Sequence, residues 1–141
     1  VFCNSREGLA SPDLQLLFVP ASSSNKVVGK LSKDPGMSLS VCPVRPQSRG
    51  TVMAESPDPM EKAVIRANYF GDESDVQVML SGIKQAQKIF SQPALQEFST
   101  GETVPGKAIE TAADCVELAK ARGVTIYHPV GTCKWAPIPW R

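Results

Sequence analysis

One histidine, four cysteines and no Cys-x-x-Cys pair leave few ways to hold a transition metal in this 141-residue chain. A zinc site draws four Cys or His ligands at close local spacing. Cys3, Cys42, Cys115 and Cys133 lie far apart, so no metal site is expected. The same sparseness argues against a disulfide framework and for reduced, mostly buried thiols, which leans the chain toward a reducing, cytoplasm-like interior. No charge of one sign dominates: 15 Lys and Arg against 14 Asp and Glu leave +1, with no footprint for nucleic acid or anionic lipid. The longest near-apolar run, LQLLFVPA, is far too short to cross a bilayer. Neither G-x-G-x-x-G nor G-x-x-x-x-G-K-[ST] occurs, so these residues encode no phosphate cradle for a nucleotide.

What remains is the composition of one globular domain, 42% hydrophobic and 21% charged. Twelve prolines predict short elements and frequent turns. DLQLLFV (13–19) reads as a strand that stops at Pro20, and KVVGKL as a short strand or flap. MSLSVCPVRP (37–46) alternates Met37, Leu39 and Val41 with Ser38, Ser40 and Cys42, the period of a half-buried strand. TVMAES (51–56) reads as its hairpin partner with Gly50 at the turn, and AVIRANYF (63–70) as a further extended segment. In RPQSRG, Arg49 is expected to pin the turn by hydrogen bonds and Gly50 to supply backbone freedom.

Beyond residue 72 the period changes. Val76, Met79, Leu80, Ile83, Ala86 and Phe90 fall on one helical face, capped by Asp72 or Ser74 and stopped at Gln92-Pro93. PALQEF is expected to add one turn. Thr111 opens a second helix with an S/T-x-x-acid box, ending at Gly123 in the left-handed position that often closes helices. The predicted fold class is α+β, with mainly antiparallel strands packed against these helices.

VTIYHPVGTCKW then leaves as a strand toward a Pro129-Val130-Gly131 bend and displays the lone His128 at its end. Four readings stand side by side for that imidazole. It is a packed histidine, a metal ligand without local partners, the activator of a Cys133 thiolate, or a general base. Odd spacing puts Cys133 and His128 on opposite faces of a continuous strand, and only the Gly131 bend brings them together. A base in a redox reaction needs a hydride acceptor whose pocket comes mostly from other sequence. The VFCNS opening without Met and the WAPIPWR close, where Pro137 and Pro139 interrupt regular structure, raise the expectation of a fragment.

Taken in order, PDLQLLFVP (12–20), RPQSRGTV (45–52), SPDP (56–59), ANYF (67–70), DVQVMLSGIKQAQKI (75–89) and YHPVGTCK (127–134) form one pattern. They resemble the C-terminal, substrate-domain part of the glucose–methanol–choline (GMC) family of FAD-dependent alcohol oxidoreductases. YHPVGTCK is the most specific of them. The resemblance implies oxidation of a CH–OH group on a small alcohol. It implies His128 as acceptor of the hydroxyl proton, hydride passing to flavin, and Tyr127 and Val130 as neighbours of the cofactor. The family pattern continues past Cys-Lys with Met-Gly and a second active-site His or Asn, where this chain reads Trp135-Ala136-Pro137. The family's FAD-binding half has no counterpart here either, so residues 1–141 are expected to form one partial domain. The alternative is a non-catalytic remnant or interaction module that keeps the scaffold alone.

The isolated chain is therefore expected to bind FAD weakly or not at all and to show no turnover. Absorbance of the purified chain checks this, and stoichiometric yellow flavin would overturn it.

Overall fold

The computed structural model describes residues 1–22, 30–106 and 108–131. Among these residues there are two antiparallel sheets and three helices. A three-stranded sheet has the order β1 (Phe2–Cys3), β2 (Leu14–Val19), β3 (Ser38–Pro43). A two-stranded ribbon pairs β4 (Thr51–Met53) with β5 (Val64–Arg66). The long helix α1 (Glu73–Phe90) packs on β2 and β3, a single turn α2 (Pro93–Gln96) follows it, and α3 (Ala112–Arg122) packs on α1. This is the α+β class that the sequence pattern predicts. The KVVGKL segment falls largely outside the described residues.

β2 and β3 are paired along their whole length, Leu14 opposite Pro43 through Val19 opposite Ser38. Leu16 therefore shares a face with Val41, and that face meets α1. The contact is close because of Gly82: a Cβ there would run into Val41 Cγ1 and lie 3.0 Å from Leu14 Cδ2. Leu14 and Leu16 are buried as a result, whereas Leu17 and Val19, pointing the other way, are exposed. A second apolar cluster lies between α1 and α3, where Val76, Leu80, Ile109 and Cys115 are buried and Phe70, Met79, Ile83 and Val116 pack around them.

α1 starts where its chemistry requires. The Asp72 side chain accepts from Ser74 N at 2.9 Å, and Glu73 and Asp75 set negative charge against the positive end of the helix. α3 opens on the expected capping box. Thr111 Oγ1 accepts from Asp114 N at 3.2 Å, and the Asp114 carboxylate accepts from Thr111 N at 3.0 Å. Its close differs from expectation. Gly123 has φ −64 and ψ 140, which is extended rather than left-handed. Glycine is needed there for room, since a Cβ would strike the Ala119 carbonyl oxygen, which accepts from Gly123 N at 2.7 Å.

The predicted hairpin between β3 and the segment 51–56 does not form: β3 pairs with β2, and β4 pairs with β5. The intervening turn is held elsewhere. The buried carboxylate of Asp75, in the first turn of α1, accepts from Gln47 N at 2.7 Å, from Ser48 N at 2.8 Å and from the Ser48 hydroxyl. Asp72 N in turn donates to Ser48 Oγ at 3.0 Å. The chain is thus drawn off the sheet onto the helix end before β4 begins. Arg49 pins the turn as expected, its Nη1 donating to the carbonyls of Pro46, Gln47 and Ser48 at 2.8, 2.9 and 3.0 Å. Gly50 serves a different purpose from the one expected: its absent side chain leaves space for the Arg66 and Ala67 carbonyl oxygens of the β5 end.

The first strand is tied by a second buried carboxylate. Asp13 accepts from Ser5 N at 2.7 Å and from Ser5 Oγ at 2.6 Å. Burial alone would raise its pKa, but the Ser5 hydrogen bonds and the nearby Arg6 charge outweigh that and hold it below the ordinary 3.8.

Two stability changes follow from these carboxylates. Asp75→Ala leaves three donors without their acceptor, and urea unfolding should show a loss of about 3 kcal/mol. A loss under about 0.5 kcal/mol would mean that water replaces the carboxylate freely. For Asp13 the folded pKa is depressed, so its stabilisation is present above the unfolded value and lost as pH falls through the lowered one. Between about pH 5 and about pH 2 the wild type should therefore lose more unfolding free energy than Asp13→Asn, as read from urea midpoints at each pH.

Candidate active site

The segment after α3 carries the candidate chemistry. Sequence periodicity predicts a strand here, and the structure has none over residues 124–131. The reason is local. Tyr127 adopts φ 60, in the left-handed region that interrupts extended backbone, and its N–H donates to Thr125 Oγ1 at 3.0 Å. The expected bend beyond it is present, with Gly131 at φ 96.

His128 follows this turn directly and is exposed. Its Nδ1 meets the carbonyl oxygen of Ile126. A carbonyl only accepts, so a hydrogen bond at this contact requires the hydrogen on Nδ1 and leaves Nε2 with its lone pair in the neutral ring. The local turn thus sets Nδ1 against a backbone carbonyl.

Around the imidazole the surface is apolar and open. Tyr127 is 86% exposed and Val130 92%, and Val124 and Ile126 are exposed as well. The sequence places Tyr127, His128 and Val130 together, and the structure keeps them on one short segment. Cys133, the possible thiol partner, lies outside the described residues. Cys42 and Cys115 are buried, and desolvation pushes both thiols up, away from the thiolate form.

A cavity of about 350 Å³ runs along the outer side of α1, lined by Gln77, Leu80, Ser81, Lys84, Gln85 and Lys88, and none of the 127–130 residues borders it. Among the described residues no three His, Cys, Asp or Glu side chains come together as a metal site would require. No helix among them is long and apolar enough to cross a membrane.

The exposed group of one imidazole, one phenol ring and aliphatic side chains suits one wall of a flat aromatic ring system. It does not suit a phosphate, because no glycine-rich turn and no cationic side chain lies among residues 124–131.

Sequence reading missed one group at the site and one in the scaffold. Thr125 is one; the signal for it is a threonine two residues before the left-handed position, the spacing of a Ser/Thr turn. The other is the Ser48–Asp75 pair, 27 positions apart, for which no local signal exists.

Comparison with known proteins agrees with the pattern of motifs. The C-terminal model of the family described as GMC oxidoreductase matches residues 46–139, more than half of the chain. An alcohol dehydrogenase [acceptor] of Pseudomonas putida is 35% identical over 91% of this chain and 23% of its own length. Choline oxidase of Arthrobacter globiformis is 32% identical over 98% of this chain and 26% of its own. An oxygen-dependent choline dehydrogenase of Vibrio vulnificus is 35% identical over 94% and 24%. The chain spans about a quarter of the length of these curated relatives. With its antiparallel sheets, its helices and its match to the C-terminal model, the chain belongs to the GMC oxidoreductase family.

Proposed function

We propose that this chain is the substrate-domain portion of an FAD-dependent oxidoreductase that oxidises the CH–OH group of a small alcohol, with His128 taking the hydroxyl proton. Bound flavin supplies the acceptor for the hydride that leaves the carbinol carbon. The chain's own contribution is a positioned base and one apolar wall.

The observation that carries this reading is the bond between His128 Nδ1 and the Ile126 carbonyl. A hydrogen bond there requires Nδ1–H and would leave Nε2 as acceptor, the state a base needs before it meets a hydroxyl. Tyr127 and Val130, exposed on either side, would rest against the ring system and hold the alcohol carbon near the imidazole. Exclusion of water by those side chains would strengthen the imidazole–hydroxyl contact by lowering the local dielectric. The substrate is small and carries a primary or secondary alcohol; the names of the relatives, alcohol and choline oxidoreductases, support that class.

The test uses the full-length flavoenzyme that contains this chain. His128→Ala should retain bound flavin and slow alcohol-driven flavin reduction by about 10²–10⁴-fold, the usual worth of a positioned acid–base group. Stopped-flow absorbance of the flavin reads the rate directly. Reduction at the wild-type rate would remove His128 as the proton acceptor.

A further inference from the structure

We propose that the Thr125 hydroxyl is a positioning group that sets the tautomer of His128. It rests on the proton-acceptor role proposed above and adds to it the residue that prepares the imidazole.

Three observations meet at this point. Tyr127 N–H donates to Thr125 Oγ1 at 3.0 Å. Tyr127 holds φ 60, a region that side chains with a Cβ disfavour. The Ile126 carbonyl, whose peptide unit lies inside this turn, faces His128 Nδ1. The first bond accounts for the second: the hydroxyl satisfies the Tyr127 N–H only when the backbone curls back, and so offsets the cost of the left-handed residue. The curl then accounts for the third. In extended backbone the carbonyls lie along the strand plane while side chains stand roughly perpendicular to it, so the Ile126 oxygen would not meet the ring.

The chemical consequence concerns one proton. Free histidine prefers its neutral form with hydrogen on Nε2, which would leave the outer nitrogen as a donor and useless as a base. Bonding of Nδ1–H to a carbonyl reverses that preference. Thr125 bonds to Tyr127 N–H, while the imidazole bonds to the Ile126 carbonyl. Thr125 acts through the Ile126 carbonyl and is a positioning residue in that sense.

His128 is the single histidine of the chain, which makes the tautomer directly readable. The 141-residue chain, labelled with ¹⁵N-histidine and held at about pH 8.5 where imidazole is neutral, gives one pair of ring nitrogens in a long-range ¹H–¹⁵N correlation spectrum. The wild type should show a protonated Nδ1 and a pyridine-type Nε2. Thr125→Ser, which keeps the oxygen, should show the same pattern. Thr125→Val, equal in shape and without the acceptor, should revert to the Nε2–H form. In the full-length flavoenzyme Thr125→Val should lower the rate of alcohol-driven flavin reduction by about tenfold with KM and flavin content unchanged, and Thr125→Ser should restore it. A wild type in the Nε2–H form, or a valine variant that keeps the Nδ1–H form, overturns the proposal. Full flavin reduction by His128→Ala overturns the proton-acceptor role instead, and the spectra still decide what Thr125 does.

Discussion

The Asp75 carboxylate is the constraint on which most of this arrangement depends. It is buried at the start of α1, and a buried charge is tolerated only when its lone pairs are met. Two backbone N–H groups and a hydroxyl from residues 47 and 48 meet them. The cost of leaving that carboxylate unsatisfied is what draws a loop 27 positions away onto the helix end. Once the loop is there, Arg49 closes it through three carbonyls, and its own carbonyl accepts from Asn68 Nδ2 at 2.9 Å. The two ends of the β4–β5 ribbon are thereby fastened to the same place. Asn68 and Phe70 both hold positive φ in this junction, and the side-chain bond of Asn68 and the partial burial of Phe70 against the core offset that strain.

α1 passes this anchorage in two directions. Through Gly82 it lies close on β2 and β3, and through Val76 and Leu80 it seats α3. The Cys115 thiol, fully buried, lies 3.9 Å from the Val76 carbonyl oxygen, one residue from the anchored Asp75. Among the described helices and strands α3 packs on α1 alone, so the placement of residues 124–131 starts from that one interface. The proposed base is therefore carried by a short chain of contacts: carboxylate to loop, helix to helix, helix end to turn.

The sequence reveals the parts whose cause is local. Apolar residues at helical spacing mark α1 from Val76 to Phe90, and the Thr111–Asp114 box marks the start of α3, because a helix end and a helix face are decided by neighbours three and four residues away. The strands 14–19 and 38–43 are visible for the same reason. Which strand pairs with which is not local. The expected partner of β3 failed because a carboxylate 27 positions after Ser48 competes for the turn, and alternation of apolar residues carries no information about that. At the candidate site the order of residues was legible and the shape was not. Val124, Ile126 and Val130 look like strand residues, yet one threonine oxygen and one left-handed tyrosine turn the segment aside. The identity of the family was legible from an ordered set of motifs, YHPVGTCK specific and the others weak alone, whose spacing matches over most of the chain.

A histidine that stands exposed on a short turn cannot rely on burial to orient it, as one inside a core does. The immediate backbone has to supply its orientation, and here both bonds that shape the turn span two residues: Thr125 to Tyr127 and Ile126 to His128. Such short loops close at little entropic cost and hold their geometry with few outside contacts. That suits a residue whose remaining neighbours would be a cofactor ring and a substrate rather than side chains of its own domain. The same logic explains the open apolar flanks. Tyr127 and Val130 are left uncovered where a core would bury them, and large apolar side chains grouped around a polar atom mark a surface made to be covered. The helix packing from Asp75 to α3 fixes where the turn begins, and the turn sets Nδ1 against the Ile126 carbonyl.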